Sequence, residues 1–285
     1  MRSLSKAAFE DFAEAAPHGR RFCFWHWPHR HPSALIVHVH AFGEEMNKSR
    51  RMVALQSRAL AEAGACVLQV DLLGCGDSDG DFADASWEAW LSDVIAACGL
   101  VRDRHAQLWP GVQLPPLWLW GMRVGCLLAS QAADRMAEPC DLLFWQPTMT
   151  GSAALQQFLR LKLTSNMSQP DSRALADDLR RDLATNQPVE VAGYRLASGL
   201  ASGLQHAELV PVQRPSRVLW LEVRAHEESH QTPVAQVAAE RWRQAGHQVV
   251  SQSVVGPAFW STVEVTEVPE LVATSTRLLL ESWRS

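Results

Sequence analysis

The chain has 285 residues, 47% hydrophobic and 20% charged, with 31 acidic against 26 basic side chains and a formal net charge of −5 at pH 7. That is enough apolar material to bury a full core, and it excludes an intrinsically disordered chain. The charges are scattered, and without a basic run a nucleic-acid stripe is excluded as well. The opening "MRSLSKAAFEDFAEAA" carries acids and lacks the uncharged apolar run of a secretory leader. No window reaches the roughly 18 apolar residues of a membrane span, so a cytoplasmic protein without one is expected.

Short apolar runs then alternate with segments of helical period. The expected strands are "RFCFWHW", "ALIVHVH", "CVLQVD", "PLWLW", "DLLFW", "RVLWLEV" and "HQVVSQSV", and their near-continuous hydrophobicity suits a parallel sheet buried on both faces. Between them "KSRRMVALQSRALAEAG", "SWEAWLSDVIAACGLV", "VGCLLASQAADRMA" and "TPVAQVAAERWRQAG" read as crossover helices, and "PELVATSTRLLLESW" as a terminal one. The interval 150–213 breaks the alternation. It contains helical periodicity in "LQQFLRLKL" and "ALADDLRRDLA", and loops this long carry structure of their own. The expectation is therefore an α/β core over 1–149 and 214–285 with a helical cap inserted at 150–213.

Six cysteines (Cys23, Cys66, Cys75, Cys98, Cys126, Cys140) lie far apart without a CxxC pair, so they read as small core residues in a reducing compartment. His38 and His40 alternate on one strand face, but no carboxylate or cysteine completes a ligand pattern. No metal site and no cofactor is expected.

The stretch "LWLWGMRVGCLLAS" supplies a buried strand, glycines at Gly121 and Gly125, and a helix, which is the context of the G-x-S-x-G nucleophile turn in α/β-hydrolases. Arg123 stands at the serine position. A guanidinium stays protonated and offers donors only, so Arg123 cannot be a nucleophile. The base is expected after the last strand, where "SVVGPAFWST" places Phe259 and Trp260. The acid is expected after "RVLWLEV", where Glu227 and Glu228 are the candidates and Glu222, inside the strand, is the weaker one. His226 and His230 lie beside them as candidates for a displaced base. In "VDLLGCGDSDG", Asp71, Asp77, Ser78 and Asp79 suit loop shaping by side-chain to backbone bonds, and Ser78 has no histidine to activate it.

Together "HAFGEEMNKSRRMVALQSRALAEAG", "LQVDLLGCGDSDGDF", "WEAWLSDV", "LWLWGMRVGCLLA", "FWQPTMTG", "LQQFLRL", "VEVAGYRL" and "VVGPAFW" resemble the exosortase A system-associated hydrolase, ortholog 2 family of the α/β-hydrolase superfamily. The resemblance runs from about Arg20 to the terminal helix. It implies the α/β-hydrolase fold, in a bacterial protein encoded with an exosortase and PEP-CTERM sorting system and exopolysaccharide production. It also implies arginine at this turn as a family habit, and brings no substrate. One departure is local, because His40 and Ala41 stand where that family places proline and phenylalanine.

A cation at a helix start is locally unfavourable, since unpaired amides and the helix dipole favour negative charge there. Two counter-charges are open to Arg123: a carboxylate of Glu44 or Glu45, or an anionic ligand held bidentately. Glu44, Glu45, Asn47, Met122, Arg123 and Trp260 are the candidate ligand-binding residues, Trp260 as an apolar wall that stacks on a sugar or covers Arg123. Lys48, Arg50 and Arg51 suit a solvated helix start. Three functional readings stand: a silent hydrolase-fold protein binding an anionic or saccharide ligand or a partner of the exosortase and exopolysaccharide machinery; a hydrolase or transferase using water activated by Glu44, Glu45 or a displaced histidine; and a protein-interaction scaffold.

Overall fold

The computed structural model describes residues 4–12, 17, 19–165, 181, 187–226 and 232–283. Its central sheet is built from β1 (Leu4–Asp11), β2 (Arg20–Trp27), β3 (Ala34–Val39), β4 (Ala65–Val70), β5 (Leu117–Met122), β6 (Asp141–Trp145), β9 (Arg217–Arg224) and β10 (Gln248–Val255). These eight strands lie in the order β1-β2-β4-β3-β5-β6-β9-β10. β2 runs antiparallel to β1 and β4, and every other pairing is parallel. The mostly parallel sheet expected from the sequence is therefore present. β1 was not expected: half of its residues are polar, because it lies at the sheet edge and has only one face to bury.

Strand side chains alternate between two cores. Leu117 and Leu119 of β5 join one with Leu91 and Val94 of α2 (Trp87–Leu108) and Leu127 and Leu128 of α3 (Gly125–Arg135). Trp118, Trp120 and Met122 of the same strand join the other with Met52 and Leu60 of α1 (Glu44–Glu62) and Leu278 and Leu279 of the C-terminal helix (Pro269–Trp283). Two helices carry side-chain caps: Ser86 accepts the Ala89 amide at 3.1 Å at the start of α2, and Thr232 accepts that of Ala235 at 3.3 Å.

The interval 150–213 contains α4 (Gly151–Ser165) and α5 (Ser198–His206), but also a hairpin of β7 (Val189–Val191) and β8 (Tyr194–Leu196). The insertion expected to be mostly helical thus also carries a short two-stranded hairpin. The turn has positive φ at both Ala192 (49°) and Gly193 (84°), the conformation that closes a two-residue hairpin. Most of "ALADDLRRDLA" lies outside the described residues. The remaining helices are α6 (Pro233–Gln244) and α7, the C-terminal helix just named. No helix among the described residues is long and apolar enough to cross a membrane.

His38 and His40 sit in the sheet top, 4% and 6% exposed. The His38 ring donates from Nδ1 to the Trp120 carbonyl at 3.1 Å, and His40 donates from Nδ1 to that of Ala41 at 2.8 Å while its Nε2 accepts the Leu72 amide at 3.3 Å. No third ligand joins them among the described residues. Burial holds the His38 ring down at about 3 and lowers His40 as well, against an ordinary value of 6.5. His38 stays neutral in the folded chain down to about pH 3, whereas in the unfolded chain it takes up a proton near 6.5. Stability is therefore intact above 6.5 and falls as pH drops from there toward 3, by about 1.4 kcal/mol per pH unit for His38. Urea unfolding at pH 7 and pH 5 measures this, and His38→Gln is expected to flatten the slope.

Candidate functional site

The site forms where β5 ends and α3 begins. A Cβ on Gly121 would stand 2.6 Å from the Cα of Cys126, and one on Gly125 only 2.2 Å from the Val39 carbonyl oxygen. Backbones this close admit glycine alone. Between them Arg123 has φ 55°, a left-handed conformation that costs a side chain on the order of 1–3 kcal/mol. The turn is held by the Arg123 amide donating to the Trp145 carbonyl at 3.0 Å and by the Arg123 carbonyl accepting the Cys126 amide at 3.1 Å. This is the strained strand-to-helix turn that presents a nucleophile in the G-x-S-x-G motif.

The guanidinium is met by a carboxylate. Arg123 Nε donates to both oxygens of Glu45, at 3.2 and 3.1 Å, and Nη2 donates to Oε1 at 3.1 Å. Trp260 covers it, with the guanidinium carbon 5.4 Å from the ring centroid. The two charged side chains are 16% and 19% exposed, so the pair is largely withdrawn from water. Of the two adjacent acids, the helix phase of α1 turns Glu45 toward the elbow. Arg123→Ala, which strands that carboxylate, is expected to cost about 1–3 kcal/mol in urea unfolding. Glu45→Ala in the Arg123→Ala background should then cost little more, because the two side chains act as one unit.

Glu44 serves a different contact. Tyr194 of the β7–β8 hairpin donates its hydroxyl to Glu44 Oε1 at 3.1 Å, and Asn47 Nδ2 donates to the Tyr194 oxygen at 3.0 Å. Burial and the neighbouring Glu44 raise the phenol, which keeps it a donor. Beneath this latch Phe82 and Phe158 each meet the Tyr194 ring edge to face, and Phe42 packs edge to face on Phe158 and at a tilt on Phe82. The cavity left at the elbow is about 60 Å³, lined by Phe42, Glu44, Glu45, Arg123 and Phe158 among others. That is room for a few water molecules, whereas sites for organic ligands span about 300–1,000 Å³.

The other expected residues distribute as follows. Met122 is fully buried and does not line the cavity, since strand alternation sends it to the opposite core, and its place among ligand-facing residues is corrected. Lys48 donates to the Ser261 carbonyl at 3.3 Å, Arg50 pairs with Asp71 at 3.2 Å and Arg51 with Glu267 at 2.7 Å, so the basic residues of α1 tie neighbouring loops down. Ser78 donates to the Asp71 carbonyl and accepts the Phe22 amide at 2.8 Å. Arg20 donates its amide to Asp79 at 2.8 Å, and Asp77 its amide to Asp71 at 3.3 Å. Glu222 is buried within β9. His226 ends the described part of the loop after β9, and Glu227, Glu228 and His230 lie outside the described residues. Tyr194, Phe42 and Phe158 also belong to the site and were not expected from the sequence. The one available signal was that Tyr194 is the single tyrosine of the chain.

A family model described as serine aminopeptidase, S33, matches residues 30–196, more than half of the chain. The human protein ABHD12B is 27% identical over 168 residues, which cover 58% of this chain and 43% of that protein, so the chain spans less than half of that relative. Among solved structures, Est1E from Butyrivibrio proteoclasticus with ferulic acid bound superposes with a TM-score of 0.68 at 16% identity, covering 97% of this chain and 100% of that one. A highly thermostable carboxyl esterase from Bacillus coagulans, in complex with glycerol, gives 0.61 at 16% identity, covering 99% and 97%. At that level of identity the likeness is one of fold.

Proposed function

The chain belongs to the serine aminopeptidase S33 family of α/β-hydrolases, and we propose that it is a member that has exchanged hydrolysis for binding. In this reading it works with an exosortase, PEP-CTERM and exopolysaccharide system, as the resemblance of its motifs implies, and recognises an anionic or saccharide ligand or a protein partner there. The observation that carries the reading is the ion pair at the elbow. Arg123 occupies the strained position that presents the nucleophile, Glu45 neutralises it, and Trp260 covers it from the loop after β10, where the fold places the general base. A triad needs a lone pair at the first position and a proton acceptor at the last. Arginine and tryptophan supply neither.

The alternative of water activated by Glu45 is disfavoured, because both carboxylate oxygens already accept from Arg123. A saccharide entering the elbow has to widen it first, since about 60 Å³ does not hold a sugar ring. Binding at the cleft mouth, on the cap hairpin and α4, needs no such step. A broad panel of esters, thioesters and amides should show no turnover above buffer with the wild-type protein. Turnover that Arg123→Ala abolishes would overturn the reading and make Arg123 a stabiliser of developing negative charge.

A further inference from the structure

A second cavity, of about 660 Å³, lies between α1 and α7 on their solvent side. It is an order of magnitude larger than the space at the elbow and falls within the range of sites for organic ligands. It is also a separate place, since Leu55, where α1 reaches it, stands about 15 Å along the helix axis from Glu45. Leu55 and Ala59 of α1 and Val272, Ala273 and Leu280 of α7 line it, each half-buried or exposed. Val272, Thr276 and Leu280 follow one another at four-residue steps, so they form one ridge along α7. Ala59 and Ala273 are too small to fill the space beside that ridge, and the groove stays open.

The polar groups around it already have partners. The Thr276 hydroxyl accepts from Gln56 Nε2 at 3.2 Å. At one end Glu267 pairs with Arg51 at 2.7 Å, and at the other Glu281 pairs with Arg277 at 3.0 Å, which also donates to Gln252 at 3.0 Å. An occupant therefore meets an apolar floor whose ends are electrically balanced, and a charged ligand gains nothing there. Shape then selects the kind of apolar ligand. From Pro269 to Leu280 the groove runs about 17 Å along α7, close to the roughly 15 Å that one leaflet of a bilayer gives an acyl chain. A helix 10 Å across would fill more than about 1,200 Å³ over the same length, nearly twice the space present.

We propose that the groove between α1 and α7 binds a single acyl or alkyl chain with an uncharged head group, as in a monoacylglycerol or a fatty alcohol. The chain lies along the ridge of Val272, Thr276 and Leu280, against Leu55 and Ala59, and the head group stays in water at one end. Affinity comes from the apolar surface withdrawn from water, because the charges beside the groove are spoken for within the chain.

Isothermal titration with monobutyryl-, monooctanoyl- and monodecanoylglycerol, each below the concentration at which it self-associates, is expected to show affinity rising about fourfold per added methylene. Decanoate, which carries a charge at its head, is expected to bind more weakly than monodecanoylglycerol. Ala273→Phe puts a ring into the groove in place of chain methylenes and is expected to weaken monodecanoylglycerol about tenfold or more, with circular dichroism checking that the variant is folded. Should it not fold, photolabelling of the wild type with a diazirine-bearing decanol decides: adducts are expected on residues 55–59 and 269–281. Four results would each overturn the proposal: no binding of monodecanoylglycerol by the wild type, affinity that does not depend on chain length, decanoate binding the more tightly, or a folded Ala273→Phe that binds as the wild type does. Adducts at the elbow, on 42–45 or 154–161, in place of the groove would overturn it as well.

Discussion

Gly125→Ala is expected to destabilise the fold by about 3 kcal/mol or more, lowering the melting temperature by roughly 6–12 °C. The added methyl would sit 2.2 Å from the carbonyl oxygen of Val39 and 2.6 Å from that of His40. Both are main-chain atoms of β3 and the residue after it, so no rotamer change relieves the clash. The strand or the start of α3 has to move, and with it the Arg123 turn. Gly99 is the internal control. It lies in α2, where an added methyl would meet nothing within 4 Å, so Gly99→Ala is expected to stabilise by about 0.5–1 kcal/mol through helix propensity. Differential scanning calorimetry of the two variants reads both signs. A Gly125→Ala protein that melts with the wild type would mean that the elbow is not packed as described.

Asp93→Ala is expected to cost about 3–5 kcal/mol in urea unfolding. Asp93 and Arg21 form an ion pair with both side chains 0% exposed, closed by Nε to Oδ2 and Nη2 to Oδ1 contacts of 2.9 Å each. The same carboxylate accepts the Leu73 amide at 2.7 Å, and Trp90 donates its indole to the Leu73 carbonyl at 3.0 Å. Removing the acid leaves a guanidinium buried without its carboxylate and removes one of the two bonds that tie Leu73 to α2. Replacing both residues by apolar ones of similar size, Arg21→Met with Asp93→Leu, should recover much of the loss, because the stranded charge goes with its partner. A loss below about 1 kcal/mol for Asp93→Ala alone would contradict this description.

The parts of the fold that were legible are those whose burial forces a pattern. "PLWLW", "DLLFW" and "RVLWLEV" had to be strands covered on both faces, and the helical period of segments such as "SWEAWLSDVIAACGLV" and "VGCLLASQAADRMA" marked the helices that cover them. β1 was not legible because an edge strand with polar residues at half its positions carries no such pattern. The cap hairpin was missed because three-residue strands are too short to show alternation, although Ala192-Gly193 is a turn signal in retrospect. At the site, Arg123 was visible because the glycines on either side define the turn. Whether Glu44 or Glu45 would answer it was left open, since adjacent residues on a helix differ in direction by about 100° and sequence alone does not set the phase. The latch by Tyr194 joins residues 150 apart in the chain, a contact that no local pattern encodes.

At the elbow a neutralised cation stands in place of a nucleophile. The most direct measurement is covalent labelling of the wild-type protein with a fluorophosphonate, read by intact-mass spectrometry, beside Arg123→Ser. No adduct is expected on the wild type, and none on Arg123→Ser either, because Trp260 supplies no base to activate the restored hydroxyl. A stoichiometric adduct on the wild-type protein would contradict it.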